Sequence, residues 1–162
     1  MGNFTFQIEE GNNRYLLKLN SFTEQELVSW NLDTSIEIYD VVLFRVSGDE
    51  TTSFKSLAQI STFVKGFMSN HPAAILYFYC DDMHEIQRAH KHVNYSPQHF
   101  RSQLFSLLFD REMVRYPDAK LVNNVQTITT DQGTAYIHLI TSVANQHIVT
   151  NLFKQLIEYS TK

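Results

Sequence analysis

The side chains best suited to chemistry follow an apolar run, AAILYFY at residues 73–79. A thiol, two carboxylates, an imidazole and two guanidinium groups come after it: Cys80, Asp81, Asp82, His84, Arg88 and Arg101. The apolar run is typical of a central strand covered on both faces, and ligands of open sheets bind beyond the carboxyl ends of strands. We therefore predict a binding surface near residues 80–101.

These residues do not form a catalytic or metal-binding motif. Neighbouring carboxylates on a strand point to opposite faces, so Asp81 and Asp82 are not expected to act as a pair, and one of them is better interpreted as a cap of the next segment. Cys80 is expected to be a small buried apolar residue. His90 and His92 diverge if residues 83–95 are helical and belong to a solvated segment if these residues are a loop, so neither case supplies convergent ligands. We predict no catalytic residue, no metal site and no cofactor.

Arg101 has two interpretations. We place it in the first turn of a helix that begins with Ser96 as N-cap and Pro97 as first residue, where the helix dipole disfavours a cation. The favoured interpretation is a salt bridge to Asp81 that ties strand to helix. The alternative is that the guanidinium group binds a small anionic ligand.

Composition and charge disfavour several classes of function. The net charge is −4 and the basic residues are scattered, which disfavours general nucleic-acid binding. Cys80 is the sole cysteine, which fits a reducing compartment, and no apolar run reaches the roughly 18 residues that a membrane span requires. No secretory signal pattern is present, so we expect a cytoplasmic protein. The 12 Phe and 8 Tyr are hard to bury completely in one small domain, which predicts a homodimer.

Periodicity predicts one α+β domain over residues 1–162, with a mixed sheet of about six strands and the order β-β-β-α-β-α-β-β-α. The predicted strands are NFTFQIE, RYLLKLN, SIEIYDVVLFRVS, the apolar run, LVNNVQTITT and TAYIHLITSV. TEQELVSWNLDT, at 23–34, is expected to be a polar connection. Helices are expected at 54–69, from 97, and at 145–160. The second helix should bury Phe100, Leu104, Leu107 and Leu108, with Phe105 and Phe109 widening that stripe, whereas His138 should be half-exposed on its strand.

Two segments resemble a family of small bacterial proteins found mostly in the Bacteroidetes. ILYFYCD matches an aromatic strand that ends in Cys-Asp, and RSQLFSLLF, starting at Arg101, matches the helix pattern Arg-x-x-Leu-Phe-x-x-Trp-Phe. Leu108 stands where the family pattern has Trp. The resemblance covers about a fifth of the chain and implies a shared fold, with no activity to carry over.

The element order is also similar to the core of the Gcn5-related acetyltransferases. The resemblance implies that the loop VSGDETTSFKS, at residues 46–56, would hold the pyrophosphate of acetyl-CoA. That loop has one glycine and two acids, and it lacks the family's Arg/Gln-x-x-Gly-x-Gly/Ala pattern. We therefore expect a non-enzymatic interaction or ligand-binding module, and the alternative is a degenerate acetyltransferase-like protein.

Overall fold

The computed structural model describes residues 2–50, 52–80, 96–131 and 133–160. In these ranges six strands and four α-helices follow the predicted order with one helix, α1, added: β1 Phe4–Glu10, β2 Asn13–Ser21, α1 Glu24–Ser29, β3 Glu37–Ser47, α2 Phe54–Asn70, β4 Ala74–Cys80, α3 Pro97–Arg115, β5 Leu121–Thr130, β6 Gly133–Ser142 and α4 Gln146–Ser160. The predicted α+β class with a six-stranded mixed sheet is confirmed. No helix in the described ranges is both long and apolar enough to cross a membrane.

The strands form one sheet in the order β1-β2-β3-β4-β6-β5. β3 and β4 are parallel, and every other neighbouring pair is antiparallel. β4 lies inside the sheet between β3 and β6, as its continuous apolar sequence predicted. The α2 connection between β3 and β4 is what allows these two strands to run in the same direction.

Helices cover both faces of the sheet. On one face, α2 and α3 enclose a core formed by Leu17, Leu19, Tyr39, Val41, Phe67, Met68, Ala74, Leu76 and Ile140. On the other face, α1 and α4 enclose a core formed by Phe22, Leu27, Leu32, Ile38, Ile75, Tyr77, Ile128, Ile137, Leu139, Val149, Leu152 and Leu156. Alternate residues of β4 therefore belong to different cores, which follows from the two-residue repeat of a strand.

The sheet opens between its two parallel strands. β3 and β4 pair only from Glu37 and Ala74 to Asp40 and Tyr77. Beyond these residues β3 remains paired with β2 as far as Ser47, and β4 remains paired with β6 as far as Cys80. The second half of β3 therefore has a paired strand on one side only within the described part of the chain.

Local sequence explains where the helices begin. Ser96 caps α3 with Pro97 as its first residue, as predicted. Ser53, which was not among the predicted caps, caps α2 by accepting hydrogen bonds from the first-turn amides. The expected polar connection after β2 is partly wrong, because it contains α1. Thr23 and Glu26 form a reciprocal capping box there, and Leu27 fixes the short helix by burying its side chain in the α1–α4 core.

The buried face of α3 differs from the predicted stripe. Leu107 is 58% exposed, whereas Gln98, Ser102 and Glu112 are buried. Phe105 and Phe109, expected only to widen the stripe, pack against the α2–α3 core. α3 is therefore rotated about its axis relative to the prediction, so that Gln98 and Ser102 in its first half and the phenylalanines in its middle face the sheet.

Candidate functional site

The structure places two of the six predicted binding residues. Cys80 is fully buried at the end of β4, opposite Tyr136 of β6, as expected of a small apolar residue. Arg101 is half-buried on α3 and lies in the second turn, because Pro97 is the first helical residue. Asp81, Asp82, His84 and Arg88 lie outside the described residues. The structure therefore does not test the predicted salt bridge between Asp81 and Arg101. His90 and His92 also lie outside the described residues.

A layer of polar side chains joins the first half of α3 to β5 and β6. We call it the α3–β6 polar layer, and its members are Gln98, His99, Ser102, Asn123, Tyr136 and His138. Gln98 Nε2 donates to the carbonyl oxygen of Thr134 at 2.8 Å, and His99 Nδ1 lies 3.0 Å from the Tyr136 hydroxyl. Ser102 Oγ lies 2.8 Å from His138 Nε2. The contacts of Gln98, His99 and Ser102 thus fix the start of α3, a little over one helical turn, to β6.

His138 is the most enclosed member of this layer, and the expectation that it is half-exposed is wrong. Its exposed fraction is 0%, because α3 covers this face of the sheet and the ring packs beside Phe78 and Phe105. Its Nδ1 lies 3.0 Å from Asn123 Oδ1. Burial lowers the pKa of His138 from 6.5 to about 4, so the imidazole is neutral at pH 7.

The chain of contacts from the Ser102 hydroxyl through the His138 imidazole to the Asn123 amide resembles the catalytic triad of a hydrolase. In this protein the three residues are enclosed, since Ser102 is 6% exposed and His138 is fully buried. A substrate carbonyl cannot reach the Ser102 hydroxyl without displacing α3. The geometry therefore supports a positioning role for this network, in which satisfied buried polar groups specify one placement of the helix.

The amino end of α2 is occupied by a carboxylate from β1. Glu10 Oε2 accepts hydrogen bonds from the hydroxyl groups of Ser53 and Ser56 in the cap and first turn. These hydrogen bonds hold the pKa of Glu10 below its ordinary value. An anion from the protein itself therefore takes the position at which a helix amino end would otherwise attract a phosphate group.

A depression of ≈ 270 Å³ lies on the α1 side of the sheet, where β3 and β4 are last paired. It is lined by Asn20, Ser21, Phe22, Glu26, Trp30, Asp40 and Tyr77. Burial raises the pKa of the half-buried Asp40 carboxyl, and the nearby Glu26 carboxylate raises it further. Two acids and three aromatic rings, from α1, the residues that flank it, β3 and β4, thus converge at one place.

Sequence reasoning missed the polar layer and this depression. One local signal existed for the layer, since Gln98, Ser102, Phe105 and Phe109 follow helical spacing and so place the polar pair on the phenylalanine face. Nothing in the local sequence around Asn123 or His138 distinguishes a strand residue covered by a helix from one that meets water. Comparisons with protein-family models, curated proteins and solved structures find no match to this chain.

Proposed function

We propose that the protein is a non-enzymatic binding module whose surface is formed by the carboxyl end of β4 and the first turns of α3, within residues 80–101. The observation that carries the proposal is the α3–β6 polar layer. Gln98, His99 and Ser102 bond three positions of β6, which holds this half of α3 more rigidly than apolar contacts alone would. A surface held in its binding geometry in advance loses less entropy when a ligand binds.

Arg101 suggests the chemistry of the ligand. Arg101 lies on the helix segment that the polar layer fixes, between His99 and Ser102 in sequence. The planar fork of arginine suits carboxylate and phosphate groups, which it binds through two parallel hydrogen bonds. A small anionic ligand, or an acidic group of a protein partner, is the occupant that this side chain favours.

The test uses Arg101→Ala, with Arg111→Ala as the matched control on an exposed position of the same helix. Thermal unfolding is measured with inorganic phosphate and with citrate, against sodium chloride at equal ionic strength. We expect either anion to raise the melting temperature of the wild type and of Arg111→Ala but not of Arg101→Ala. Equal stabilisation of all three proteins would refute a role of Arg101 in anion binding.

The structural alternative, a salt bridge between Asp81 and Arg101, gives a different result. Asp81→Ala and Arg101→Ala would each destabilise the fold in urea, and the double variant would lose less than the sum of the single losses. A buried pair would cost roughly 3–5 kcal/mol when one partner is removed, and an exposed pair under about 1 kcal/mol. Strictly additive losses would show that the two residues do not interact.

A degenerate acetyltransferase-like protein is the second candidate. The element order, which is similar to that of the family's core, favours it. The Glu10 carboxylate at the amino end of α2 opposes it, because it would repel a pyrophosphate. Calorimetry with acetyl-CoA on the wild type and on Glu10→Gln separates the candidates. Micromolar binding would favour the acetyltransferase hypothesis, and no binding to either protein would exclude it.

Kinship with the Bacteroidetes family is likewise a proposal, which rests on the sequences of β4 and α3.

A further inference from the structure

The depression on the α1 side of the sheet has walls that are largely aromatic. Phe22 packs edge-on against Trp30 with 4.8 Å between ring centroids, and Tyr77 lies edge-on to both, at 5.9 Å from Phe22 and 6.2 Å from Trp30. Rings set at steep angles to one another present both faces and edges to a shared space. The negative face of an aromatic ring attracts a cation, most strongly when the ring is indole.

The polar part of the lining includes several acceptors, which are the carboxylates of Glu26 and Asp40 and the side-chain oxygens of Asn20 and Tyr77. Tyr77 is 9% exposed, and its hydroxyl group has no hydrogen-bond partner within the described chain. Asp40 lies beside Tyr77 in the parallel pairing of β3 and β4, and Asn20 lies opposite Asp40 on β2. The hydroxyl oxygen of Tyr77 is a hydrogen-bond acceptor that a ligand with N–H donors can engage.

The two carboxylates carry uncompensated negative charge. Neither Asp40 nor Glu26 forms an ion pair with a described basic side chain. One oxygen of Glu26 accepts hydrogen bonds from the backbone and hydroxyl of Thr23, which fixes the carboxylate at the start of α1. The amine of Lys18, on β2, lies over the ring of Phe44 instead. The carboxylates of Asp40 and Glu26 therefore repel each other at this depression, and a bound cation would relieve that repulsion.

We propose that this depression binds an organic ammonium group, with Asp40 and Glu26 neutralising its charge, the Tyr77 hydroxyl accepting one of its N–H groups, and Trp30 and Phe22 contacting its alkyl part. An inorganic cation fits less well, because hard metal ions prefer shells of oxygen ligands to aromatic walls. The ammonium group belongs either to a free alkylamine or to a lysine side chain of another protein. This site is separate from the proposed surface at residues 80–101, so either proposal stands if the other fails.

Trp30 gives a direct readout, since it is the sole tryptophan of the chain. Its indole N–H signal in the ¹H–¹⁵N spectrum of the whole protein is followed during titration with n-butylammonium chloride and, separately, with Nα-acetyl-lysine methylamide. We expect a saturable shift with both compounds in the wild type. Tighter binding of the lysine compound would indicate a protein lysine as the source, and tighter binding of n-butylammonium a free amine.

Asp40→Asn keeps the shape of the side chain and removes its charge, so we expect its affinity for n-butylammonium to fall by about tenfold or more. Asp118→Asn makes the same charge change at an exposed position after α3 and should bind as the wild type does. Should Asp40→Asn fail to fold, Glu26→Gln takes its place, since glutamine retains the acceptor for Thr23, and a weaker affinity is again expected.

Three outcomes would overturn the proposal. The first is an indole shift no larger than the one that sodium chloride produces at equal ionic strength. The second is an equal shift with n-butanol, which would show an apolar site indifferent to charge. The third is unchanged affinity in both Asp40→Asn and Glu26→Gln, which would show that the carboxylates do not contact the cation.

Discussion

The imidazole of His138 is held in one tautomer by its two polar neighbours. The Oδ1 atom of Asn123 accepts a hydrogen bond, so Nδ1 carries the proton, and Nε2 accepts from the Ser102 hydroxyl. Asn123 is oriented in turn, because its Nδ2 donates to Ser106 Oγ at 3.3 Å. A neutral histidine with both ring nitrogens bonded is a stable buried group, and losing either bond leaves an unsatisfied atom.

We predict that Ser102→Ala destabilises the protein by about 1–3 kcal/mol, because it leaves the buried Nε2 of His138 without a donor. Ser69→Ala, at an exposed position of α2, is the control and should change stability by less than about 0.5 kcal/mol. Urea unfolding of the two variants and the wild type measures both values. Equal small losses would show that the Ser102–His138 contact contributes nothing to stability.

We predict that burial of His138 makes stability depend on pH in the acidic range. The pKa of His138 is lowered in the folded state, to about 4 from 6.5, so the unfolded chain binds a proton that the folded chain does not. The contribution of His138 is therefore fully present above pH 6.5 and is lost as the pH falls from 6.5 to about 4. Urea unfolding as a function of pH should show a shallower decline for His138→Gln than for the wild type. If the unfolding free energy falls equally steeply with pH in the wild type and in His138→Gln, His138 is not buried as a neutral imidazole.

At the scale of elements, the start of α2 is stabilised by a contact with the edge strand β1. Ser53 accepts hydrogen bonds from the amides of Lys55 and Ser56, and its own hydroxyl group donates to Glu10 of β1. The cap of the helix and the end of a distant strand are thus fixed by the same hydroxyl group. Side-chain caps of this type stabilise a helix by about 0.5–2 kcal/mol.

We predict that Glu10→Gln destabilises the protein at pH 7 and not at low pH. The pKa of Glu10 is lowered in the folded state from 4.5, so its contribution is present above pH 4.5 and is lost as the pH falls below that value. Glu9→Gln is the matched control, since Glu9 is an exposed neighbour that pairs with Arg14 on the adjacent strand. Urea unfolding at neutral and acidic pH measures the difference. If the unfolding free energies of the wild type and Glu10→Gln differ by the same amount at every pH, the Glu10 carboxylate does not stabilise the protein through these hydrogen bonds.

At the scale of the whole molecule, apolar side chains remain on two strand edges. Leu43, Phe44 and Val46 are exposed by between 41% and 55% on the half of β3 that has lost β4 as a neighbour. β5 is the last strand of the sheet, and Val125 on it is 45% exposed. Exposed strand edges of this kind pair with other chains unless charged or irregular residues block them.

We predict that the protein self-associates, with the β5 edge as the interface. Light scattering should give a mass that rises toward that of a dimer as concentration increases. Val125→Lys should reduce the association, because a lysine on an edge strand opposes pairing. Val114→Lys makes the same change on the most exposed apolar residue of α3, at 83%, and should behave as the wild type does. A monomer mass over a broad concentration range would end this hypothesis.

The sequence by itself determined the order and the bounds of most elements. The signals were the alternation in β1, the apolar run of β4, the periodicity of α2 and α4, and the Ser96 cap, and each acts over a few residues. Such signals can be recognised locally, because a hydrogen-bonding cap or an apolar repeat depends only on the segment itself and on its contact with water. α1 was missed because two turns carry too few apolar positions to show a period, although its capping box was readable.

Only the tertiary structure decided which residues share a site. Cys80 and Arg101 could be selected as neighbours of a strand end, but His138 meets Ser102 and Asn123 only because α3 lies across β5 and β6. Asp40, Trp30 and Tyr77 likewise meet only because β4 pairs with β3 and α1 folds back on that pair. Periodicity reports that a face of a segment avoids water, and it does not report which segment covers that face. Contacts between residues far apart in sequence depend on how every element packs at once, and this packing is decided by the whole chain.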